Sequence, residues 1–172
     1  MRDLVRLFGQ IALLRKGPQD VPASAWLFAA TALGYFAVNF TVSLVLPPID
    51  GPWFAQLVVD TLFTLAWYAV LLRILGKRER FLQTVTAVLG YRAVLSPFWI
   101  AAIWLSRRFG EDPLWQFPVA LAGLMLAIWM VAAGSHVLKA ALEWSWPAAV
   151  ILVLLEIFTL QLLLITMLPG EV

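Results

Sequence analysis

The sequence contains no cysteine and a single histidine, and only 13% of its 172 residues are charged. Without cysteine the chain has neither disulfides nor thiol chemistry. One histidine without cysteine or carboxylate partners cannot build a zinc site, so we expect His136 to make a local hydrogen bond. No phosphate-binding glycine loop, nucleophile elbow or metal motif is present. The sequence therefore predicts no catalytic residue, cofactor or metal, and favours a protein that is not an enzyme.

Apolar residues make up 63% of the chain and the mean hydropathy is +0.91. Soluble domains contain roughly 45–50% apolar residues, so this composition is typical of an integral membrane protein. The net charge of +2 is too small to indicate a nucleic-acid-binding surface. Near the N-terminus, Asp3 and Arg6 argue against a cleaved signal peptide, and we take Met1 as the mature start.

Residues Met1 to Lys16 are predicted to form an amphipathic helix. The helical spacing of the apolar residues gives it one apolar face, made of Leu4, Leu7, Phe8, Ile11 and Leu14. The segment is too short to span a bilayer and suits a helix that lies in the headgroup layer. The alternative is that the same face packs on the rest of the protein.

Five long apolar segments follow, each near the roughly 20 residues that cross a bilayer. Short breaks rich in Pro, Gly and Asp separate them, so we expect consecutive helices to be antiparallel neighbours. Pro47, Pro48 and Gly51 form the first break, and Pro169 with Gly170 closes the last segment. The predicted fold is an all-α polytopic bundle, a single membrane domain over residues 1–172 with five transmembrane helices behind an N-terminal interfacial helix. The spans are Ala23 to Leu46, Phe54 to Leu75, Leu82 to Leu105, Leu114 to Leu138 and Trp146 to Leu168.

The distribution of lysine and arginine predicts the orientation, because cytoplasmic loops carry an excess of these residues. One side has nine of them, and the other has only Arg107 and Arg108. The N-terminus is therefore predicted to be cytoplasmic and the C-terminus outside, most simply in a bacterial inner membrane. The basic cluster Arg73, Lys77, Arg78 and Arg80 determines this topology and is also a candidate anionic-lipid contact, at about 1 kcal/mol per residue.

Arg92 lies near the middle of the third span, where a charge costs at least about 2.5–3.5 kcal/mol. Such a residue normally turns inward toward a partner or water. Ser96 and Trp99 follow on the same face of the helix, and Pro97 predicts a kink because its nitrogen cannot donate to Ala93.

The other polar residues within the spans are predicted to form a cluster with Arg92. Counting along each helix puts Glu156 at the level of Arg92, and puts Asn39, Asp60 and Gln161 roughly 8 Å further outward. Three interpretations remain open. The charges form a buried ion pair that fixes which helices touch; or Glu156 titrates beside a hydrated path for protons, ions or a polar solute; or Arg92 binds an anionic lipid or substrate.

The segment LGYRAVLSPFW, Leu89 to Trp99, resembles the Gly-Tyr followed by Pro in a middle span of Yip-domain membrane proteins. IDGPW, Ile49 to Trp53, is similar to the Asp-x-x-Gly-Pro signature of eukaryotic members, although shorter. The resemblance implies a non-enzymatic protein of five spans that acts as a scaffold or binds a membrane-protein partner or a second copy. The alternative function is a small transporter or channel subunit that uses the polar cluster.

Overall fold

The structure is a computed structural model that describes residues 2–46 and 52–167. It contains six α-helices and two short 3-10 helices, Pro18–Asp20 and Arg78–Arg80. The described residues form no strand. The predicted turn residues Pro47, Pro48 and Gly51, and Pro169 with Gly170, lie outside the described residues. The α-helices are α1 (Arg2–Ala12), α2 (Ala25–Val45), α3 (Trp53–Ile74), α4 (Phe81–Phe109), α5 (Gln116–Leu142) and α6 (Trp146–Met167).

Helices α2 to α6 are each long and apolar enough to cross a membrane, which confirms the predicted five spans. Among these five helices, the two largest boundary differences are at the C-terminal ends of α4 and α5. Helix α4 extends beyond the predicted Leu105 to Phe109, and α5 extends beyond Leu138 to Leu142. In both cases the helix continues through basic residues at its C-terminal end, where positive charge is favourable.

Helix α4 is the centre of the bundle. It contacts α1, α2, α3 and α5, and α6 packs on α3 and α5. Much of α4 is buried, including the continuous run from Thr84 to Tyr91. Helix α2 packs closely on α4, whereas it meets α3 through long side chains such as those of Phe36 and Phe54. The sequence-adjacent pair α2 and α3 is thus a looser contact than the expected antiparallel neighbours.

Packing differs between the two ends of the bundle. We call the end with Lys77, Arg80 and Lys139 the basic end, where α3 and α5 finish and where α4 and α6 begin. The fully buried apolar side chains lie mainly in this half and include Leu72, Val85, Val88, Val137 and Leu142. Toward the opposite end α5 separates from its neighbours, and Phe117 and Met125 are 74% and 63% exposed.

Helix α1 packs against α4 and α5, which selects the second of the two predicted placements. Of its apolar face, Phe8 and Ile11 are buried, and Leu4 and Leu7 are partly buried. The helix ends at Ala12 and not at the predicted Lys16, so Leu14 lies beyond it and is 38% exposed. Two hydrogen bonds from α5 hold the following segment: Trp129 Nε1 donates to the carbonyl of Ala12 at 2.7 Å, and His136 Nε2 lies 3.1 Å from the carbonyl of Lys16. The prediction that His136 makes a local hydrogen bond is wrong, because its partner Lys16 is distant in sequence.

The close approach of α1 to α4 depends on Gly90. The ring of Phe8 lies directly on this glycine, and a methyl group added there would overlap the ring. Phe8 is itself buried within the core, so its ring has little room to move away. Glycine at this position therefore lets an aromatic side chain reach the surface of the central helix.

Replacement of Gly90 by Ala should destabilise the protein. Alanine in a helix interior gains about 0.5–1 kcal/mol over glycine, but overpacking a close contact costs about 1–3 kcal/mol. We therefore expect a lower midpoint of thermal unfolding for Gly90→Ala. Gly34→Ala is the matched control, since nothing lies within 4 Å of a methyl there and helix propensity alone should act. An equal rise in the midpoint for both variants would show that Phe8 does not occupy this contact.

Candidate functional site

The guanidinium of Arg92 lies between two carboxylates from different helices. Nη1 is 3.3 Å from both oxygens of Asp60 on α3 and 2.9 Å from the hydroxyl of Thr64. Nη2 donates to Glu156 Oε1 on α6 at 3.0 Å. Arg92 thus joins α3, α4 and α6 through charge-assisted hydrogen bonds, the stronger class of hydrogen bond.

Tyrosine hydroxyls complete the coordination of both carboxylates. Tyr68 donates to Glu156 Oε2 at 3.2 Å, and Tyr35 on α2 donates to Asp60 Oδ2 at 3.4 Å. Tyr91, next to Arg92 on α4, is near enough to interact electrostatically with both Arg92 and Glu156. We call this set the Arg92 cluster; its members are Arg92, Asp60, Thr64, Glu156, Tyr35, Tyr68 and Tyr91.

The local sequence of α3 explains why one helix supplies so much of the cluster. Asp60, Thr64 and Tyr68 are spaced four residues apart, which places them on one face of a helix. This polar face is directed toward Arg92 and Glu156. Because polar side chains fill the space between α3 and its neighbours, hydrogen bonding determines the register of α3 within the bundle.

The cluster is largely removed from solvent. The side chain of Glu156 is 3% exposed, that of Arg92 is 15% exposed and that of Asp60 is 21% exposed. In this environment an unpaired charge would be expensive, whereas each charge here has an opposite partner and additional hydrogen bonds. The arrangement thus satisfies the charged groups internally and leaves Asp60 as the most accessible of the three.

The structure brings together three of the five residues that the sequence predicted for the cluster: Arg92, Glu156 and Asp60. The prediction of two separate polar layers is wrong, because the long side chain of Arg92 reaches Asp60 directly. Asn39 is buried, but its side chain donates to the carbonyl of Tyr35 in its own helix at 2.8 Å. Gln161 is exposed, since a residue five positions after Glu156 points about 140° away from it around the helix.

Sequence reasoning missed Thr64, Tyr68 and Tyr35. The four-residue spacing of Asp60, Thr64 and Tyr68 on α3 could have indicated the first two. The same spacing of Thr31, Tyr35 and Asn39 on α2 could have indicated Tyr35. The predicted cluster included only charged and amide side chains, so these hydroxyl groups were left out. Ser96 bonds back to the carbonyl of Ala93 at 3.3 Å, so its shared face with Arg92 does not make it a member of the cluster.

A second set of charges connects the loops at the basic end. Glu143, between α5 and α6, forms ion pairs with Lys77 and Arg80. Hydrogen bonds from Lys77 and Arg80 lower the pKa of Glu143 from its ordinary value of 4.5 to about 2. Arg80 also donates to the carbonyls of Ala140 and Ala141, at 3.3 and 3.0 Å, which satisfies the C-terminal end of α5.

This pairing bears on the four basic residues predicted to contact anionic lipid. Lys77 and Arg80 are engaged by Glu143, whereas Arg73 and Arg78 are exposed. Within residues 2–46 and 52–167, no group of three or more histidine, aspartate or glutamate side chains is placed to hold a metal ion. Comparisons with protein-family models, curated proteins and solved structures found no match.

Substitutions in the Arg92 cluster should reveal its charge balance. Arg92→Met leaves two buried carboxylates without their cation and should cost about 3–5 kcal/mol in the free energy of unfolding. Glu156→Leu should cost less, because Arg92 keeps Asp60. The triple variant Arg92→Met/Asp60→Asn/Glu156→Gln should recover most of the loss. Thermal or denaturant unfolding of the purified protein measures these differences.

Arg108→Met provides the control, since Arg108 is an exposed arginine at the end of the same helix. Exposed substitutions of this kind usually change stability by less than about 0.5 kcal/mol. If Arg92→Met were as mild as Arg108→Met, the Arg92 guanidinium would have to be solvated, and the ionic cluster would not hold the helices.

Proposed function

We propose that this protein is a non-catalytic integral membrane protein with a scaffold or partner-binding role, similar to that of Yip-domain proteins. The observation that supports this is the mutual pairing of the Arg92 cluster. Its charged groups bond to one another across α3, α4 and α6, with Tyr35 of α2 attached to Asp60. Groups used in this way hold helices together and are not presented to a substrate.

The surface available to a partner is the half of α5 farthest from the basic end. Residues on most sides of this segment are exposed, including Leu121, Leu124 and Ile128. Gly123 has open space within 4 Å of its Cα–H face, so another helix can approach the backbone closely there. We propose that a transmembrane helix, from a second copy or from another membrane protein, docks on this part of α5.

A small transporter or channel subunit is the second candidate function. It is favoured by the 21% exposure of Asp60, which leaves one carboxylate of the cluster accessible from outside the packed core. In that function the exchangeable proton or ion would enter at Asp60, and Glu156 would be the second carboxylate of the path.

We further propose a bacterial inner-membrane location with the basic end in the cytoplasm. The support is the excess of lysine and arginine at that end, with Arg73 and Arg78 exposed toward the headgroups. Trp144 and Trp146 lie at the same end, and Trp104 and Trp115 pack around Phe109 at the opposite one. Tryptophan at both ends is typical of membrane–water interfaces.

Single cysteines can test this orientation, because the natural sequence has none. Glu79 and Glu111 are exposed at opposite ends of the bundle. In spheroplasts, a membrane-impermeant maleimide should label Glu111→Cys at once and Glu79→Cys only after lysis. The reverse pattern would invert the proposed topology.

Cysteine cross-linking in native membranes tests the partner-binding function. Gly123→Cys should form a covalent adduct through a bifunctional thiol reagent or, with a second copy, through oxidation. Ala133→Cys lies on the same helix but is fully buried, and should remain monomeric. A solely monomeric Gly123→Cys protein would contradict docking on α5.

Proton flux separates the two candidate functions. Proteoliposomes of the purified protein should dissipate an imposed pH gradient no faster than liposomes with the triple variant of the Arg92 cluster. Faster flux with the natural sequence, lost in Glu156→Gln, would instead establish transport and displace the scaffold proposal.

A further inference from the structure

The Arg92 cluster contains one cation and two carboxylates. Arg92 faces Asp60 on one side and Glu156 on the other. If both acids were ionised, the cluster would carry one excess negative charge inside a membrane-spanning bundle. A net charge at such a depth is strongly unfavourable, whereas a neutral carboxylic acid is tolerated when it is hydrogen-bonded.

Among the described residues, no further cation faces the two carboxylates to balance this charge. The other titratable groups that face Glu156 are the phenols of Tyr68 on α3 and Tyr91 on α4, with Tyr35 of α2 beside Asp60. Helix α5 contributes Gly134 at the hydroxyl of Tyr91, and its described titratable side chains, His136 and Lys139, lie nearer the basic end. On α1 the described charged residues Asp3 and Arg6 are exposed. A proton on one of the two acids is therefore the simplest way to neutralise the excess negative charge of the cluster.

The geometry differs between the two carboxylates in a way that distinguishes them. Asp60 is the more exposed, and both of its oxygens lie 3.3 Å from Arg92 Nη1. Glu156 is almost completely enclosed, and the hydroxyl of Tyr68 lies 3.2 Å from its Oε2. A phenol hydroxyl can donate or accept, so it can receive a hydrogen bond from a protonated Oε2.

We propose that the Glu156 carboxyl group is a proton-binding site that is occupied at neutral pH. The proton comes from water and resides on Oε2. The hydroxyl of Tyr68, which donates to Oε2 when that oxygen carries no proton, then accepts a hydrogen bond from it. Oε1 continues to accept from Arg92, and Arg92 with the ionised Asp60 forms a neutral pair. The site goes beyond the scaffold function, because holding α3, α4 and α6 together through Arg92 does not by itself assign a proton to either acid.

Infrared spectroscopy of the full-length protein in lipid bilayers tests this site. At neutral pH the spectrum should contain the carbonyl stretch of one protonated carboxylic acid per chain. Side-chain ¹³C-labelled glutamate should shift that band, whereas ¹³C-labelled aspartate should leave it in place. The variant Glu156→Gln, which can keep hydrogen bonds to both Arg92 and Tyr68, should lose the band.

Glu143→Gln is the matched control. Glu143 is an exposed acid already ionised by its pairing with Lys77 and Arg80, so its replacement should leave the band unchanged. A band that moves with labelled aspartate would place the proton on Asp60 and overturn the assignment to Glu156. The absence of any such band in the natural protein would show that the cluster keeps its net charge and would overturn the proton site altogether. Isotope labelling decides both points even if Glu156→Gln fails to fold, and neither outcome depends on whether α5 binds a partner.

Discussion

One arginine in the middle of the longest helix constrains the rest of the bundle. The Arg92 side chain cannot be left in a hydrocarbon environment, so α3 and α6 must present acceptors at the same depth. They do so with Asp60, Thr64 and Glu156, all within 3.3 Å of the guanidinium. The rotation of α3 about its axis and its depth beside α4 follow from these bonds, because turning or sliding α3 would break them.

Apolar packing is densest in the half of the bundle at the basic end, and the charged side chains of the Arg92 cluster pair near the middle of the helices. Glu143 joins the loops that carry Lys77 and Arg80 at the basic end, and α1 packs on α4 as far as Gly90, two residues before Arg92. The Arg92 cluster lies further along the helices, toward the region where α5 separates from its neighbours. The protein thus has one compact half and one open half, with the ionic cluster holding α3, α4 and α6 where apolar contacts become fewer.

The fold was largely predictable because each of the five apolar segments is long enough to cross a bilayer as a helix. Pro, Gly and acidic residues mark most of the breaks between them. The depths predicted for Arg92, Asp60 and Glu156 came from counting residues along antiparallel helices, which placed Arg92 and Glu156 at the same level. That counting treats side chains as points, and so it separated Asp60 from Arg92 by a distance that a long guanidinium side chain spans. It also ignored direction around the helix axis, which excludes Gln161 and includes Thr64 and Tyr68. The contact between Phe8 and Gly90 depends on three-dimensional proximity that no local pattern in the sequence indicates.

The composition of the Arg92 cluster distinguishes a purely structural ion pair from a site that changes its protonation. A clamp between α4 and one neighbour needs one carboxylate, and the second carboxylate allows a single guanidinium to bind two helices simultaneously. This second bond carries a constraint, because the extra acid must be neutral for the cluster to be neutral. A proton on Glu156 meets that condition and leaves Asp60, the more exposed of the two acids, to pair with Arg92. Loss of that proton would place an uncompensated charge between α3, α4 and α6, so the helix contacts of the cluster and its proton occupancy are physically coupled.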